Sequence, residues 1–183
     1  MRAILEGDVL ENQPVIVSKR GRPFATSAIA LQAIIINENE QFLLLSSPRR
    51  NGRNEWQTVS GGLEAGETVL VGILREVREE VGDIQVRPLT VLHSQSFHYD
   101  DNVRFMVGIN YLLRYESGQV VPGDDMIGSD FRWWGLNELE TAVANGSATL
   151  HKSTHLWQLR RAVTLYRLLA DEWVETAVLQ PSL

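Results

Sequence analysis

Three glutamates, Glu76, Glu79 and Glu80, stand at i, i+3 and i+4. On a helix that spacing gathers their carboxylates on one face. Like charges so placed repel by roughly a few tenths of a kcal/mol, and a surface helix ordinarily intersperses lysine. A hard divalent cation offsets the repulsion, because such ions take carboxylate oxygens and sit against substrate phosphates. Taken alone, the cluster also fits a solvated acidic face. Its surroundings supply further candidates. Arg49, Arg50 and Arg53 fall in a loop with Pro48 and Gly52, and the arginine fork suits bidentate contacts with phosphate oxygens. Glu116, Asp124 and Asp125 add carboxylates in turn-rich stretches.

These groups need a helix, and strands to carry the loops around it. Leu70, Leu74, Val77 and Val81 recur at i, i+4, i+7 and i+11. They predict an amphipathic helix whose apolar stripe lies roughly 130° from the acidic face at about 100° per residue. Glu67 and Thr68 suit an acidic first turn and Gly82 a C-terminal stop. Strands are predicted over 28–36 and 41–46 as a hairpin, over 84–91 and 93–97 with a break at Pro88, over 103–115, and over 131–134. Residues 119–121 are a candidate for further pairing. Residues 136–144 read as a helix ended by Asn145 and Gly146. A long C-terminal helix is expected over 153–178 with Ser153 or Thr154 as its cap. Val15, Ile16 and Val17 read as a short strand in an N-terminal extension over 1–24, which either packs on the domain or contributes to a homodimer. No repeat or linker divides the chain, so one α+β domain over 1–183 is expected.

Composition narrows the class. Hydrophobic residues make up 44% and charged residues 22%, as in soluble globular proteins. A net charge of −6 argues against nucleic-acid polymers and anionic membranes, whose phosphates call for a basic surface. It leaves room for small phosphorylated ligands held through a metal. With no cysteine, disulfides, thiolate zinc sites and cysteine nucleophiles are ruled out. Neither a signal peptide nor an 18-residue apolar span is evident, so a cytoplasmic location is expected.

Residues 61–83 resemble the Nudix box, G-x5-E-x7-R-E-U-x-E-E-x-G-U, where U is a bulky aliphatic. Gly61, Glu67, Arg75, Glu76, Val77, Glu79, Glu80 and Gly82 fall on its fixed positions in register. Asp83 stands where the final aliphatic belongs, and Ser60 where a proline is common. The resemblance implies a Nudix-type α/β/α sandwich, with a mixed sheet between helices, over roughly residues 28–144. It also implies hydrolysis of a nucleoside diphosphate linked to another moiety, by water attack at phosphorus with Mg2+ or Mn2+. Carried over by position, Glu76, Glu79 and Glu80 would be the metal ligands, assisted by the Gly61 carbonyl. Arg75, counted with the catalytic residues, would pair with Glu67 or another box carboxylate and fix the loop against the helix. Glu79 is the favoured general base, with Asp125 the main alternative on a loop. Arg50 would hold phosphate. Tyr99, sixteen residues past Asp83, would stack on a base.

Two other readings compete. A non-catalytic nucleotide-sensing Nudix-like module usually loses box glutamates, and here they are present. An isomerase of allylic diphosphates on the same fold uses a cysteine, which this chain lacks. His151 and His155 stand at i and i+4 without an evident third ligand, so they are read as surface or cap residues.

Overall fold

In a computed structural model, residues 15–46, 54–100, 103, 105–123 and 126–169 are described. The elements are β1 (Val15–Val17), β2 (Pro23–Ala25), β3 (Ala28–Ile36), β4 (Gln41–Ser46), β5 (Glu55–Trp56), β6 (Val59–Gly62), α1 (Val69–Val81), β7 (Gln85–Phe97), β8 (Met106–Ser117), β9 (Asp130–Gly135), α2 (Leu136–Ala144), β10 (Thr149–Leu150) and α3 (Leu156–Leu169). Six strands form one sheet in the order β7-β8-β3-β4-β9, with β6 beside β3. The β3–β8 pair is parallel and the other pairs are antiparallel, so the sheet is mixed.

β3 explains the layering. Its run of aliphatic residues is buried on both sides, as expected of a strand covered on both faces. Leu31, Ala33 and Ile35 join Ile73, Val77 and Val81 of α1 in one core. Ile34 and Ile36 join Leu139 of α2 and Leu159, Ala162 and Val163 of α3 in the other. The result is the α+β sandwich with helices on both faces of the sheet.

The differences from the sequence reading have local causes. Residues 85–97 form one strand rather than two, although Pro88 lies within it. β7 is an edge strand, the place where a sheet tolerates proline, and register shifts at Pro88/Thr90 and Val91/His93 absorb the irregularity. β8 starts at Met106 and ends at Ser117, later than predicted at both ends. Residues 119–121 form no strand; Val121 N–H donates instead to the Val81 carbonyl at 3.0 Å, tying the loop to the end of α1. α1 begins at Val69, with Thr68 as N-cap, so no acidic residue occupies its first turn and Glu67 stands before it. Gly82 closes the helix at φ 82°, a backbone conformation that glycine adopts without strain.

Neither Ser153 nor Thr154 caps α3. Thr154 is buried, and its hydroxyl accepts the Thr58 N–H at 3.2 Å. At the start of α3 the His155 N–H instead donates to the Gln158 side chain at 2.8 Å. α3 runs to Leu169, and the remainder of the expected helix lies outside the described residues. β1 and β2 pair as an antiparallel hairpin that exposes Val15, Ile16, Val17 and Phe24. The other residues of the extension, 1–14, lie outside the description. Among the described residues no helix is long and apolar enough to cross a membrane.

Candidate functional site

α1 presents Glu76 and Glu80 to strand β6. Glu76 and Glu80 are buried, at 8% and 5% exposure, whereas the Glu79 side chain is 38% exposed. The strand can lie this close because position 61 is glycine. A Cβ there would fall 2.0 Å from Glu76 Cδ, so any larger residue displaces that carboxylate. Glu80 is tied to the same strand, its Oε2 accepting the Ser60 N–H at 3.2 Å.

Arg75 organises the charges. Its Nε donates to Glu67 Oε1 at 2.8 Å and one terminal nitrogen to Glu67 Oε2 at 3.1 Å. That nitrogen also donates to the Gly62 carbonyl, and the other donates to Glu76 Oε1 and Glu79 Oε2, each at 2.8 Å. The pairing with Glu67 expected from the sequence is therefore present, and one guanidinium fastens loop, strand and helix. The hydrogen bond from Arg75 holds the Glu67 carboxyl below its usual range, helped by the Glu64 N–H. Reciprocally, Glu67 first, then Glu76 and Glu79, raise the affinity of Arg75 for its proton against the opposing effect of burial.

Among the described residues, no group of three or more His, Cys, Asp or Glu side chains is gathered as an ion cage. One Arg75 nitrogen takes an oxygen from both Glu76 and Glu79 and so occupies the space between those two carboxylates. The donor chemistry nevertheless fits a hard divalent cation: the Glu76 carboxylate fills the space that a Cβ on Gly61 would take, Glu80 is bonded to the neighbouring Ser60 N–H, and Glu79 lies on the same helix. A carboxylate accepts about four contacts, so the observed bonds leave coordination by the same groups open.

On the opposite side of β6 lies a cavity of about 560 Å3, bordered by Gly61, Gly62, Gln95, Phe97, Asn110 and Lys152 among others. Tyr99 sits at its margin, 58% exposed. The structure thus brings Tyr99 and Gly61 to one cavity and sets Glu76, Glu79, Glu80 and Arg75 behind its β6 wall. Arg50 and Asp125, like Arg49, Arg53 and Asp124, lie outside the described residues. Glu116 pairs with Arg87 and Arg114 at the end of β8. His151 also borders the cavity, its Nδ1 lying 2.8 Å from Ser153 Oγ, so it is a wall residue rather than a cap. The sequence reading missed Gln32, Asn110 and Lys152, and had no local motif by which to find them.

One titratable group belongs to the cavity's underlying frame. His93 Nε2 is approached by Asn110 Nδ2 at 3.2 Å and Gln158 Nε2 at 3.5 Å, and Trp157 packs edge-on against the ring at 4.7 Å. Burial pushes the His93 pKa down, and Arg161 and His155 push the same way. The neutral ring is the form the fold retains, while an unfolded histidine protonates near about pH 6.5. Stability should therefore rise with pH between the lowered folded value and that of the unfolded chain, and fall on acidification through that window. Thermal unfolding between pH 7.5 and pH 5 is expected to show a larger loss of melting temperature for the wild type than for His93→Gln. Equal losses would remove His93 from this account.

Comparison with known proteins places this geometry. The family model for the NUDIX domain matches residues 26–154. The NAD-capped RNA hydrolase NudC of Pseudomonas aeruginosa is 34% identical over 118 residues, which are 64% of this chain and 40% of that protein. The 8-oxo-dGDP phosphatase NUDT18 of Mus musculus is 35% identical over 60 residues, 33% of this chain and 18% of that protein. The chain thus spans about 40% of the length of the NudC relatives it matches. Among solved structures, a UDP-X diphosphatase superposes with a TM-score of 0.60 at 19% identity, covering 81% of this chain and 67% of that one. An ADP-ribose pyrophosphatase from Streptococcus suis superposes with a TM-score of 0.57 at 20% identity, covering 81% and 96%. These structural likenesses concern the fold. Because the family match extends over residues 26–154 and takes in the sheet, α1 and the Arg75-centred cluster, the chain belongs to the Nudix hydrolase family.

Proposed function

We propose that this chain is a pyrophosphohydrolase that depends on a divalent metal, Mg2+ or Mn2+, and cleaves a nucleoside diphosphate linked to another moiety. The observation that carries this reading is the placement of Glu76 against Gly61 and of Glu80 against the Ser60 N–H, with Glu79 joined to Glu76 through Arg75 and a cavity of about 560 Å3 on the other side of β6. A substrate lying across the Gly61–Gly62 strand would put its diphosphate beside the acidic face and its organic part in the cavity. The names of the relatives agree in kind, since NAD-capped RNA, UDP-X and ADP-ribose all carry a diphosphate.

Glu76, Glu79 and Glu80 would hold the metal together with the Gly61 carbonyl. When bound, the metal neutralises charge on the diphosphate and makes a coordinated water more acidic. Glu79 is the general base we favour, because it is the most solvent-exposed of the three and can meet an entering water. It takes the water proton as the oxygen bonds to phosphorus and the phosphoanhydride bond breaks. The leaving phosphate carries away the bond's electron pair. Arg75 contributes by position, holding Gly62, Glu67, Glu76 and Glu79 in one arrangement. Asp125 remains the alternative base from a loop.

The test is a screen of the purified chain against ADP-ribose, NADH, a UDP-sugar, a dinucleoside polyphosphate and NAD-capped RNA, with Mg2+ or Mn2+, resolving products by chromatography. At least one substrate is expected to turn over at about 1 s⁻¹ or faster, a common range for enzymes. Chelation with EDTA should abolish turnover, and readdition of metal should restore it. No turnover of any substrate, or turnover indifferent to EDTA, would overturn the proposal.

A further inference from the structure

Register across the sheet gives the cavity a floor of three rows. Gln95 of β7, Gly108 of β8, Ala30 of β3 and Gly62 of β6 are successive cross-strand partners. Partners in register share a face of the sheet, so this row of mostly minimal side chains is a trough. Phe97, Met106 and Ala28 are partners in the next row and form an apolar bank. His93, Asn110, Gln32 and Ser60 are partners on the other side and form a polar bank. At the trough's centre a Cβ on Gly108 would come 3.2 Å from Phe97 Cε1 and 3.5 Å from Gln95 Cγ, so glycine keeps the floor low.

Two buried atoms of the polar bank, His93 Nδ1 and Asn110 Oδ1, have no hydrogen-bond partner among the described residues, and of the two residues only Asn110 borders the cavity. Gln32 donates to Thr58 Oγ1 at 2.6 Å and to the Ser153 carbonyl at 3.0 Å, and accepts from Gln158 at 3.4 Å. Asn110 is only 2% exposed and borders the cavity, yet its Oδ1 has no hydrogen-bond partner among the described residues. Its orientation is determined by His93. Two amide donors, Asn110 Nδ2 and Gln158 Nε2, approach His93 Nε2, which must therefore accept. With the NH2 committed to His93, the Asn110 carbonyl oxygen is turned the other way. A buried acceptor without a donor is costly, and a ligand N–H relieves that cost.

We infer that the trough binds a flat heterocycle between the Phe97–Met106 bank and Asn110, and that Asn110 Oδ1 selects rings presenting an amino or carboxamide N–H over rings presenting a carbonyl at that edge. Asn110 is then a specificity-determining residue, and His93 and Gln158 are its positioning residues. The inference rests on the hydrolase reading only in identifying the ring as the organic part of a nucleoside diphosphate. The trough itself belongs to the sheet.

The two are tested separately by measuring binding under conditions that prevent turnover. Calorimetry in EDTA would compare ADP-ribose, whose purine carries an amino group, with its inosine analogue, whose purine carries an oxo group at the same position. The wild type should bind the amino form about 5–100-fold more tightly, the discrimination expected of good edge contacts to a base. Asn110→Ala, shown to be folded by circular dichroism, should bring the ratio to within about twofold. Gly108→Leu, which fills the trough away from the polar bank, should weaken both ligands by at least about tenfold, and it provides the reading if Asn110→Ala does not fold. Equal affinities in the wild type, a preference that survives Asn110→Ala, or unchanged binding by Gly108→Leu would each overturn the inference. Selective binding without any metal-dependent turnover would sink the hydrolase reading and leave this one standing. Turnover indifferent to amino and oxo rings would do the reverse.

Discussion

Replacing Glu80 with glutamine is expected to lower kcat/KM by about 10²–10⁴-fold, the range for a positioned catalytic group, while the protein stays folded. The physical basis is the separation of two tasks in one side chain. Glu80 is 5% exposed and accepts the Ser60 N–H through Oε2. A glutamine oxygen can accept the same hydrogen bond, so the link between α1 and β6 has a replacement. The negative charge has none, and a hard cation loses a favoured donor with it. Kinetics over a series of Mg2+ concentrations, paired with thermal unfolding, check both halves. The apparent requirement for Mg2+ should rise together with the loss of rate. Full activity at ordinary Mg2+ would remove Glu80 from the metal face.

Arg75→Met is expected to cost about 10–100-fold in kcat/KM, typical of losing a group that orients metal ligands, and to lower the melting temperature as well. Methionine keeps much of the side chain's length and apolar contact. It cannot donate to Glu67, Glu76, Glu79 and the Gly62 carbonyl. Those carboxylates would then face one another without an intervening cation, and saturating Mg2+ should recover part of the lost melting temperature by supplying one. Arg75→Lys should rescue little, because a compact ammonium cannot span several acceptors as the planar fork does. Activity near wild type in Arg75→Met would show that the box loop holds its shape without the guanidinium.

The acidic face could be read from the sequence because all its members lie on one helix. Glu76, Glu79 and Glu80 are neighbours through helical periodicity alone, and Gly61, Glu67 and Arg75 sit at fixed offsets from them. Helix α2 was equally plain, since its apolar spacing and its Asn145-Gly146 stop are local. The cavity was opaque for the opposite reason. Gln32, Asn110 and His93 become adjacent only when β3, β8 and β7 take their observed register, and three register shifts in β7 erase the simple alternation that would have predicted it. Pro88 misled in the same stretch, since its effect depends on whether its strand is an edge, a property of the sheet. Glu67 and Thr68, both expected in the first turn, stand before it, because the Thr68 hydroxyl caps the helix while Glu67 keeps the pairing with Arg75 that the box implies.

The alternation of β3 has a consequence for how this protein can be altered. Its odd positions back the acidic helix, while Ala28, Ala30 and Gln32 pave the trough. Point exchanges on the trough side can retune which ring is accepted without touching the residues that would act on phosphorus. A deletion or insertion of one residue in β3 would transpose the two sides at once, because every side chain after it changes face. Directed evolution of this chain should therefore yield altered selectivity readily by substitution, and almost never by a change of length between residues 28 and 36.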